Sequence, residues 1–352
     1  MLENDLIKLT PQPFHELEEK VWQKGICAGC RGCIAVCRAD TLAYDHELNK
    51  PCEVNPCIDC RACLDACPRL PANVESIVSS DVIGPYLDIK NVRSVKANER
   101  FQNGGAVIAL LTAALEEELV DCALVMGLDR WAQKSYPFVV YDASELNRSA
   151  GSKYTSNEVL GSIKELVKDQ KVKNIALVGT PCTAQSVGLL RKSSNEYAVK
   201  LVQKIRFLIG LFCFEAFSDD VIAEITGRIG VPPWRIDKMS AGEGQMTVTL
   251  RDRSMKSIPL AELEEYVKPG CRFCTDFTAK LSDISVGGIG SAPGMSSVVI
   301  RTPEGMGLFN IAEEMGFLRV SDGVNVEAIK KAGGQKIRKN RMANELAISG
   351  QR

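Results

Sequence analysis

The sequence predicts an α/β chain, a core built on a mixed sheet and preceded by a small α+β unit rich in cysteine. Three observations carry this. From about residue 92 to residue 320, short apolar runs alternate with amphipathic helical stretches, the pattern of helices laid on a mixed or parallel sheet. Before that, two cysteine runs stand back to back, Cys27, Cys30, Cys33, Cys37 and Cys57, Cys60, Cys63, Cys67, with Pro68 closing the second. A length of 352 residues then leaves enough chain for two or three domains with a buried core of their own.

Each run reads C-x2-C-x2-C-x3-C, and three closely spaced thiolates can cap three corners of a cubane if the backbone curls around it. Ala28, Gly29 and Gly32 permit that curl in the first run. In two-cluster ferredoxins of the bacterial type the fourth cysteine of each run reaches the other cluster. The pattern therefore assigns Cys27, Cys30, Cys33 and Cys67 to one [4Fe-4S] centre, and Cys57, Cys60, Cys63 and Cys37 to a second. Zinc is the alternative for paired C-x2-C, but a doubled four-cysteine run ending in Cys-Pro is a poor zinc pattern.

Fourteen cysteines without a visible signal peptide at Met1 to Thr10 argue against disulfides and for a cytoplasmic protein. The formal net charge of −1 points to no nucleic-acid partner. Apolar stretches such as Ala106 to Leu115 are too short to span a membrane, so any membrane role would be peripheral, through a partner subunit.

In order along the chain, Pro11 to Lys24 reads as a helix with Phe14, Leu17, Val21 and Trp22 on one face. Residues 1–70 form the ferredoxin-like domain with this helix, each half giving a short helix and strand. Residues 71–90, with Pro71, Pro85 and Gly84, read as a linker. The core, residues 91–320, takes strands at Val92–Ala97, Cys122–Gly127, Asn174–Gly179, Phe207–Phe212, Asp283–Val286 and Ser297–Thr302. Its helices are expected at Ala106–Glu118, Thr183–Arg191, Ser218–Ile229 capped by Ser218, and Gly307–Met315. Met246–Leu250 and Ser257–Leu260 suggest an inserted hairpin. From Glu327 the tail, part of a basic segment 321–352, carries seven Lys or Arg against two Glu and reads either as a solvated helix or as a docking surface.

Six cysteines remain outside the paired runs. Cys52 reads as a small buried or partly exposed thiol and Cys122 as a packing residue. Cys182 and Cys213 follow the ends of expected strands, and Cys271 with Cys274 forms a lone C-x2-C. The four could converge on a third cubane, or the strand-end pair could simply be buried. Gly-rich turns at Asn103-Gly104-Gly105 and at Gly287 to Gly294 permit close backbone approach to a phosphate or ring, although each also reads as a plain turn.

Five segments in unbroken order, Asn103-Gly104-Gly105, Ala150 to Thr155, Gly179-Thr180-Pro181-Cys182, Gly270 to Cys274 and Gly288 to Ser291, resemble the coenzyme F-420 hydrogenase/dehydrogenase beta-subunit family. Members with a fused two-cluster unit are similar to the electron-input subunits of F-420H2 dehydrogenases in methanogens and related archaea. The resemblance implies an α/β flavin-binding core with one FAD and one [4Fe-4S] cluster, three clusters in all, and coenzyme F-420 as substrate. It makes Cys182, Cys213, Cys271 and Cys274 ligands. Asn103, Gly104, Gly105, Lys153, Tyr154, Thr155, Thr180, Pro181, Gly288 and Gly290 become flavin contacts, and Lys153 the residue that tunes the flavin by positive charge.

What the resemblance implies in chemistry follows from electron counting. The deazaflavin exchanges a hydride, clusters pass single electrons, and a flavin converts one into the other. The expected activity is oxidation of reduced F-420, with electrons leaving through three clusters to a partner complex. The same chain could run in reverse, serve another reductase, or act as a non-enzymatic ferredoxin-like adaptor. Arg191, Lys192 and the C-terminal basic cluster are candidates to meet the acidic tail of the deazaflavin. His15 and His46 are the only histidines and lie outside the flavin core, so imidazole catalysis is not expected there.

Overall fold

The structure, a computed structural model, describes residues 12–348 apart from 78, 99, 156, 157 and 322, with side chains described up to residue 341. The expected helix start at Pro11 and the end of the tail lie outside the described residues. Among those described, the strands in chain order are β1 (Leu42–Asp45), β2 (Lys50–Glu53), β3 (Asp88–Ser94), β4 (Cys122–Asp129), β5 (Lys134–Val140), β6 (Ile175–Gly179), β7 (Ile205–Leu211), β8 (Ile236–Gly242), β9 (Gln245–Leu250), β10 (Met255–Pro259), β11 (Ile284–Gly287), β12 (Ser296–Ile300) and β13 (Leu318–Ser321). Eight of them form one mixed sheet in the order β13-β3-β12-β11-β7-β6-β4-β5. Its centre, β4-β6-β7-β11, is parallel, and antiparallel strands complete both sides.

Side chains alternate between the two faces of a strand, and here both faces are covered. Cys122 and Leu124 join Ile175, Leu177 and Leu208 on one face, with helices Pro181–Arg191 and Glu196–Gln203. Ala123, Val125, Ala176, Val178 and Ile209 line the other, under helices Ala106–Glu116 and Pro303–Glu314. Double burial explains why β6 and β12 are uninterrupted buried runs, as parallel-sheet strands usually are. Cys122, with no solvent exposure, is a packing residue as expected.

Several elements differ from the sequence reading. Strands β5, β8 and β13 and helix Glu196–Gln203 were not anticipated; Asn195 caps that helix by accepting from the Tyr197 and Ala198 N–H groups. The last core helix starts at Pro303, because Thr302 caps it and Pro303 suits the first helical position. Ser218 does not cap its helix. That helix spans Val221–Ile229 behind Asp220, and the Ser218 N–H donates to the Tyr266 carbonyl at 2.7 Å. The expected hairpin is present as β9 and β10, joined by β8 in a three-stranded sheet that shares a core with Val221, Ile222 and Ile225.

The N-terminal unit repeats itself every thirty residues in conformation as well as sequence. Arg31 and Arg61 are both left-handed, at φ 60° and 61°, as are Gly29 and Asp59 at 67° and 57°. Each precedes a short helix, Gly32–Ala35 or Ala62–Asp65, and β1 pairs antiparallel with β2. Phe14, Leu17, Val21 and Trp22 are buried. The unit docks on the same sheet face as helix Pro181–Arg191, where the Ser186 hydroxyl donates to the Ala66 carbonyl at 2.8 Å.

Residues 71–90 carry more structure than a linker. Pro71–Ile77 is helical and β3 begins at Asp88. Ile83, 1% exposed, packs with Phe277, Val299, Ile329 and Ala332. The basic tail likewise folds as helix Val326–Ile348, whose Ile329, Ala332 and Lys336 are buried. Among the described residues no helix is long and apolar enough to cross a membrane.

Gly270 touches the first cysteine run so closely that an added Cβ would lie 2.1 Å from the Cys27 carbonyl oxygen. Backbone cannot yield there. Gly270→Ala is expected to lower the urea midpoint by the equivalent of about 1–3 kcal/mol, a typical overpacking cost. Gly227, within helix Val221–Ile229 and with nothing within 4 Å of an added Cβ, is the control; Gly227→Ala should raise stability by about 0.5–1 kcal/mol.

Candidate functional site

None of the fourteen cysteines is joined in a disulfide. Twelve of them lie in three neighbourhoods, with Cys67 beside Cys33 of the first run and Cys37 beside Cys63 of the second. Burial pushes the Cys33 thiol well up, and the charges acting on it next are Cys27, Cys67 and Cys30, then Cys63. Burial likewise pushes Cys63 up to about 12, followed by Cys37, Cys60 and Cys57. Left-handed residues at matching positions curl both runs alike, and their amides turn toward sulfur. The Gly29 N–H donates to Cys27 Sγ at 3.5 Å, the Asp59 N–H to Cys57 Sγ at 3.4 Å and the Thr41 N–H to Cys37 Sγ at 3.2 Å.

The third group assembles from three segments. Parallel pairing sets Gly179 of β6 beside Gly210 of β7, so Cys182 and Cys213 emerge from adjacent strand ends. Cys182 lies in the first turn of helix Pro181–Arg191. Cys271 and Cys274 come from the turn Pro269–Phe273 and the residue after it. The Thr180 hydroxyl is 3.2 Å from Cys182 Sγ, and the Ala216 N–H donates to Cys271 Sγ at 3.4 Å. Burial pushes Cys271 up to about 11, with Cys182 the next cause. Cys213 is also raised, by burial first.

Buried thiols set side by side do not ionise together without positive charge among them. Four cysteines and no other ligand type form the donor set of an iron-sulfur cubane. Among the described residues no group of three His, Cys, Asp or Glu side chains is arranged to hold a single metal ion. The three groups run in sequence. Cys30 and Cys182 share one buried cluster with Ala28, and Gly270 abuts Cys27, which joins the third group to the first. Cys33 and Cys63 join the first to the second. At the second, Cys57 and Cys60 are only partly buried, with Ile58 56% and Val54 55% exposed.

The expected flavin contacts fall at one edge of the large sheet, at the carboxyl ends of its parallel strands, where open α/β sheets bind ligands. They divide into two sets there. Asn103 and Gly288 touch, since a Cβ on Gly288 would lie 2.4 Å from the Asn103 amide nitrogen, and the Gly104 N–H donates to Ser296 Oγ at 3.1 Å. Gly104, Gly105 and Gly290 are closely approached by the protein itself: by the Val92 carbonyl, the Phe101 ring and Ile329. Thr180 and Pro181 sit beside Cys182.

Lys153, Tyr154 and Thr155 instead line a cavity of about 200 Å³ between the β4–β5 end and β8, together with Arg100, Arg130, Arg148, Lys238 and Asp237. Lys153 Nζ donates to the carbonyls of Gly151 at 2.9 Å, Ala150 at 3.1 Å and Ser149. An ammonium has three donors, so Lys153 acts here as a fixed charge and a clasp on its own loop. Burial lowers its pKa to about 8, and Arg130 adds to the effect. Tyr154 accepts from the Ala241 N–H at 2.9 Å, and Thr155 Oγ1 lies 3.3 Å from Ser135 Oγ. Five cations against one carboxylate make this cavity suited to an anionic ligand.

Sequence reasoning missed Arg100, Arg130, Arg148 and Lys238, which are scattered and carry no motif. Arg191 is occupied otherwise, donating to the Ile205 carbonyl at 3.1 Å and pairing with Asp283 at 3.5 Å. Also missed were the polar groups that hold the third cysteine group. Lys336 Nζ donates to the Cys213 and Asp276 carbonyls at 2.7 Å each, and Asn340 Nδ2 to the Cys271 carbonyl at 3.0 Å and the Cys274 carbonyl at 2.6 Å. From the other end of the chain, Arg69 donates to the Pro68 carbonyl and to Gln185 Oε1 at 3.2 Å. Burial raises the Cys274 thiol, yet Lys336 and Arg69 reverse that and leave it below the ordinary value.

Two family profiles match, both of the coenzyme F420 hydrogenase/dehydrogenase beta subunit: that of its N-terminal part over residues 91–164 and that of its C-terminal part over residues 172–325. The chain is 31% identical to the coenzyme F420 hydrogenase subunit beta of Methanothermobacter thermautotrophicus, covering 72% of this chain and 89% of that one. It is 30% identical to a subunit of the F(420)H(2) dehydrogenase of Methanosarcina mazei, covering 84% of each. Among solved structures, a chain of the F420-reducing [NiFe] hydrogenase complex from Methanosarcina barkeri superposes with a TM-score of 0.69 at 25% identity, over 76% of this chain and 94% of that one. The chain belongs to the coenzyme F420 hydrogenase/dehydrogenase beta-subunit family.

Proposed function

We propose that this protein oxidises reduced coenzyme F-420, with FAD taking the hydride and three [4Fe-4S] clusters carrying single electrons to a partner complex. The observation that carries the reading is the continuity of the three four-cysteine groups, from Cys182 at the sheet edge to the part-exposed Cys57 and Cys60. Cys182, Cys213, Cys271 and Cys274 would hold the cluster nearest the flavin. Cys27, Cys30, Cys33 and Cys67 would hold the middle one, and Cys57, Cys60, Cys63 and Cys37 the outer one. The relatives named above are subunits, which supports an outlet to another protein chain.

The residues of the sheet edge have distinct tasks in this reading. Asn103, Gly104, Gly105, Thr180, Pro181, Gly288 and Gly290 form a backbone shelf at the strand ends on which a flavin could rest. Tyr154 and Thr155 are held by Ala241 and Ser135, so they present fixed surfaces. Lys153, Arg100, Arg130 and Arg148 supply the positive field for the acidic tail of the deazaflavin or for phosphate. Chemistry that begins with a hydride needs no side-chain base in the cavity.

Metal analysis of anaerobically purified protein should find about twelve iron atoms per chain, and Cys271→Ser with Cys274→Ser should remove about four of them. A full complement in that double variant would sink the third cluster. For Lys153→Met the KM for reduced F-420 should rise about ten- to a hundred-fold, the effect of one charge several ångströms away at a protein-like dielectric, while Lys153→Arg stays near wild type. Since Lys153 is charged only below about pH 8, wild-type affinity for the anionic substrate should fall as pH rises through 8. In Lys153→Arg that step should vanish; an unchanged pH profile would remove Lys153 from the site.

A further inference from the structure

Arg69 is 6% exposed and Lys336 1% exposed. Among the described residues neither makes an ion pair with a carboxylate, and Arg69 Nε has no hydrogen-bond partner. A buried charge without a partner is costly, so the counter-charge must lie elsewhere. The carboxylate that Lys336 approaches, Asp276, is engaged by the Thr278 N–H at 3.1 Å, the Lys280 N–H at 3.1 Å and, at 3.5 Å, by Gln185 Nε2. Both cations instead face cysteines, Lys336 those of the third group and Arg69 those of the first and the third. Lys336 is bonded to the Cys213 carbonyl, and the anionic groups acting most strongly on Arg69 are Cys274, Cys182 and Cys271.

Cations near the other two groups are matched differently. Arg31 pairs with Glu158, Lys164 with Asp40 at 2.5 Å, and Arg61 with Glu16 at 3.7 Å. Lys268 approaches Cys271 and Cys182 but shares its field with Asp219. Lys336 is thus a buried cation of the third group, and Arg69 a buried cation that the third group shares with the first.

We propose that Arg69 and Lys336 are the fixed counter-charge of the third four-cysteine group and hold its cluster at a higher reduction potential than the surroundings alone would give. This rests on reading that group as a cluster site. Positive charge nearby favours the reduced, more negative cluster, so these two positioning residues make the centre beside the sheet edge the readier acceptor of the first electron. They come from opposite ends of the chain. The third site is thus completed only when the N-terminal unit and the last helix are both docked on the core.

The test is a potentiometric titration of the full chain, reconstituted anaerobically with iron and sulfide and followed by EPR, with Cys271→Ser used to identify the third signal. If Cys271→Ser removes neither iron nor signal, the cluster reading fails, and the present proposal falls with it for that separate reason. With the third signal identified, Lys336→Met should lower its potential so that the reduced-to-oxidised ratio at fixed potential falls at least tenfold, about 59 mV for one electron. The other two signals should stay in place, and Lys336→Arg should restore the third. Arg69→Gln against Arg69→Lys repeats the comparison at the second cation, where the first group's signal should move as well because Cys27 and Cys67 face the same charge. Lys330→Met, which removes an exposed cation of the same helix that is paired with Glu327, should leave the potential unmoved. Loss of about four iron atoms in Lys336→Met with recovery in Lys336→Arg also supports the proposal. It is overturned if neither charge removal moves the third potential, if Met and Arg behave alike, or if Lys330→Met shifts it as much as Lys336→Met.

Discussion

Everything about the site depends on one close contact, the seat of Gly270 against the backbone of Cys27. It brings the turn that carries Cys271 and Cys274 against the first cysteine run. Helix Pro181–Arg191 holds the same interface from the side: Gly32 is small enough to admit Ser186, and Ser186 bonds the Ala66 carbonyl. Without these approaches the N-terminal unit would be a separate domain on a tether. With them, its buried residues and those of the sheet belong to one hydrophobic cluster.

The large sheet explains why the third group forms at all. Four parallel strands end on the same side, and the connections that leave those ends carry Thr180, Cys182, Cys213 and Gly288. Short turns leave little freedom there, because both faces of the sheet are already covered by helices and the cysteine-rich unit. The cavity that contains Lys153 opens one step further along the same edge, between β4–β5 and β8. A basic cavity and a chain of thiol groups thus share one rim, which the conversion of hydride into single electrons proposed above would need.

Charge is distributed along that rim unevenly. Burial drives most of the grouped thiols toward their neutral form, and Cys274 is the exception because Lys336 and Arg69 act on it together. Lys336 belongs to a helix that looks, in composition, like a solvated basic tail. Its position is fixed by neighbours three or four residues apart on one helix face: Ile329 and Ala332 pack on Ile83 and Phe277, and Lys336 and Asn340 then reach the carbonyls around the third group.

The sequence by itself determined the α/β character, the family and the two paired cysteine runs. Spacing of two and three residues within a run is a local constraint, and a buried parallel strand is a local composition, so both are readable from short windows. Distance in the chain hides the rest. Nothing near Lys336 in sequence reveals that it reaches the carbonyls of Cys213 and Asp276, and Arg100, Arg130, Arg148 and Lys238 become one basic wall only after β4, β5 and β8 converge. Helix Val326–Ile348 read as a surface tail because its charges dominate its composition; its buried face is decided by Ile83 and Phe277, far away in sequence. Tertiary structure alone decided which charges face the thiols, since burial and counter-charge depend on what packs against a residue and not on its neighbours in the chain.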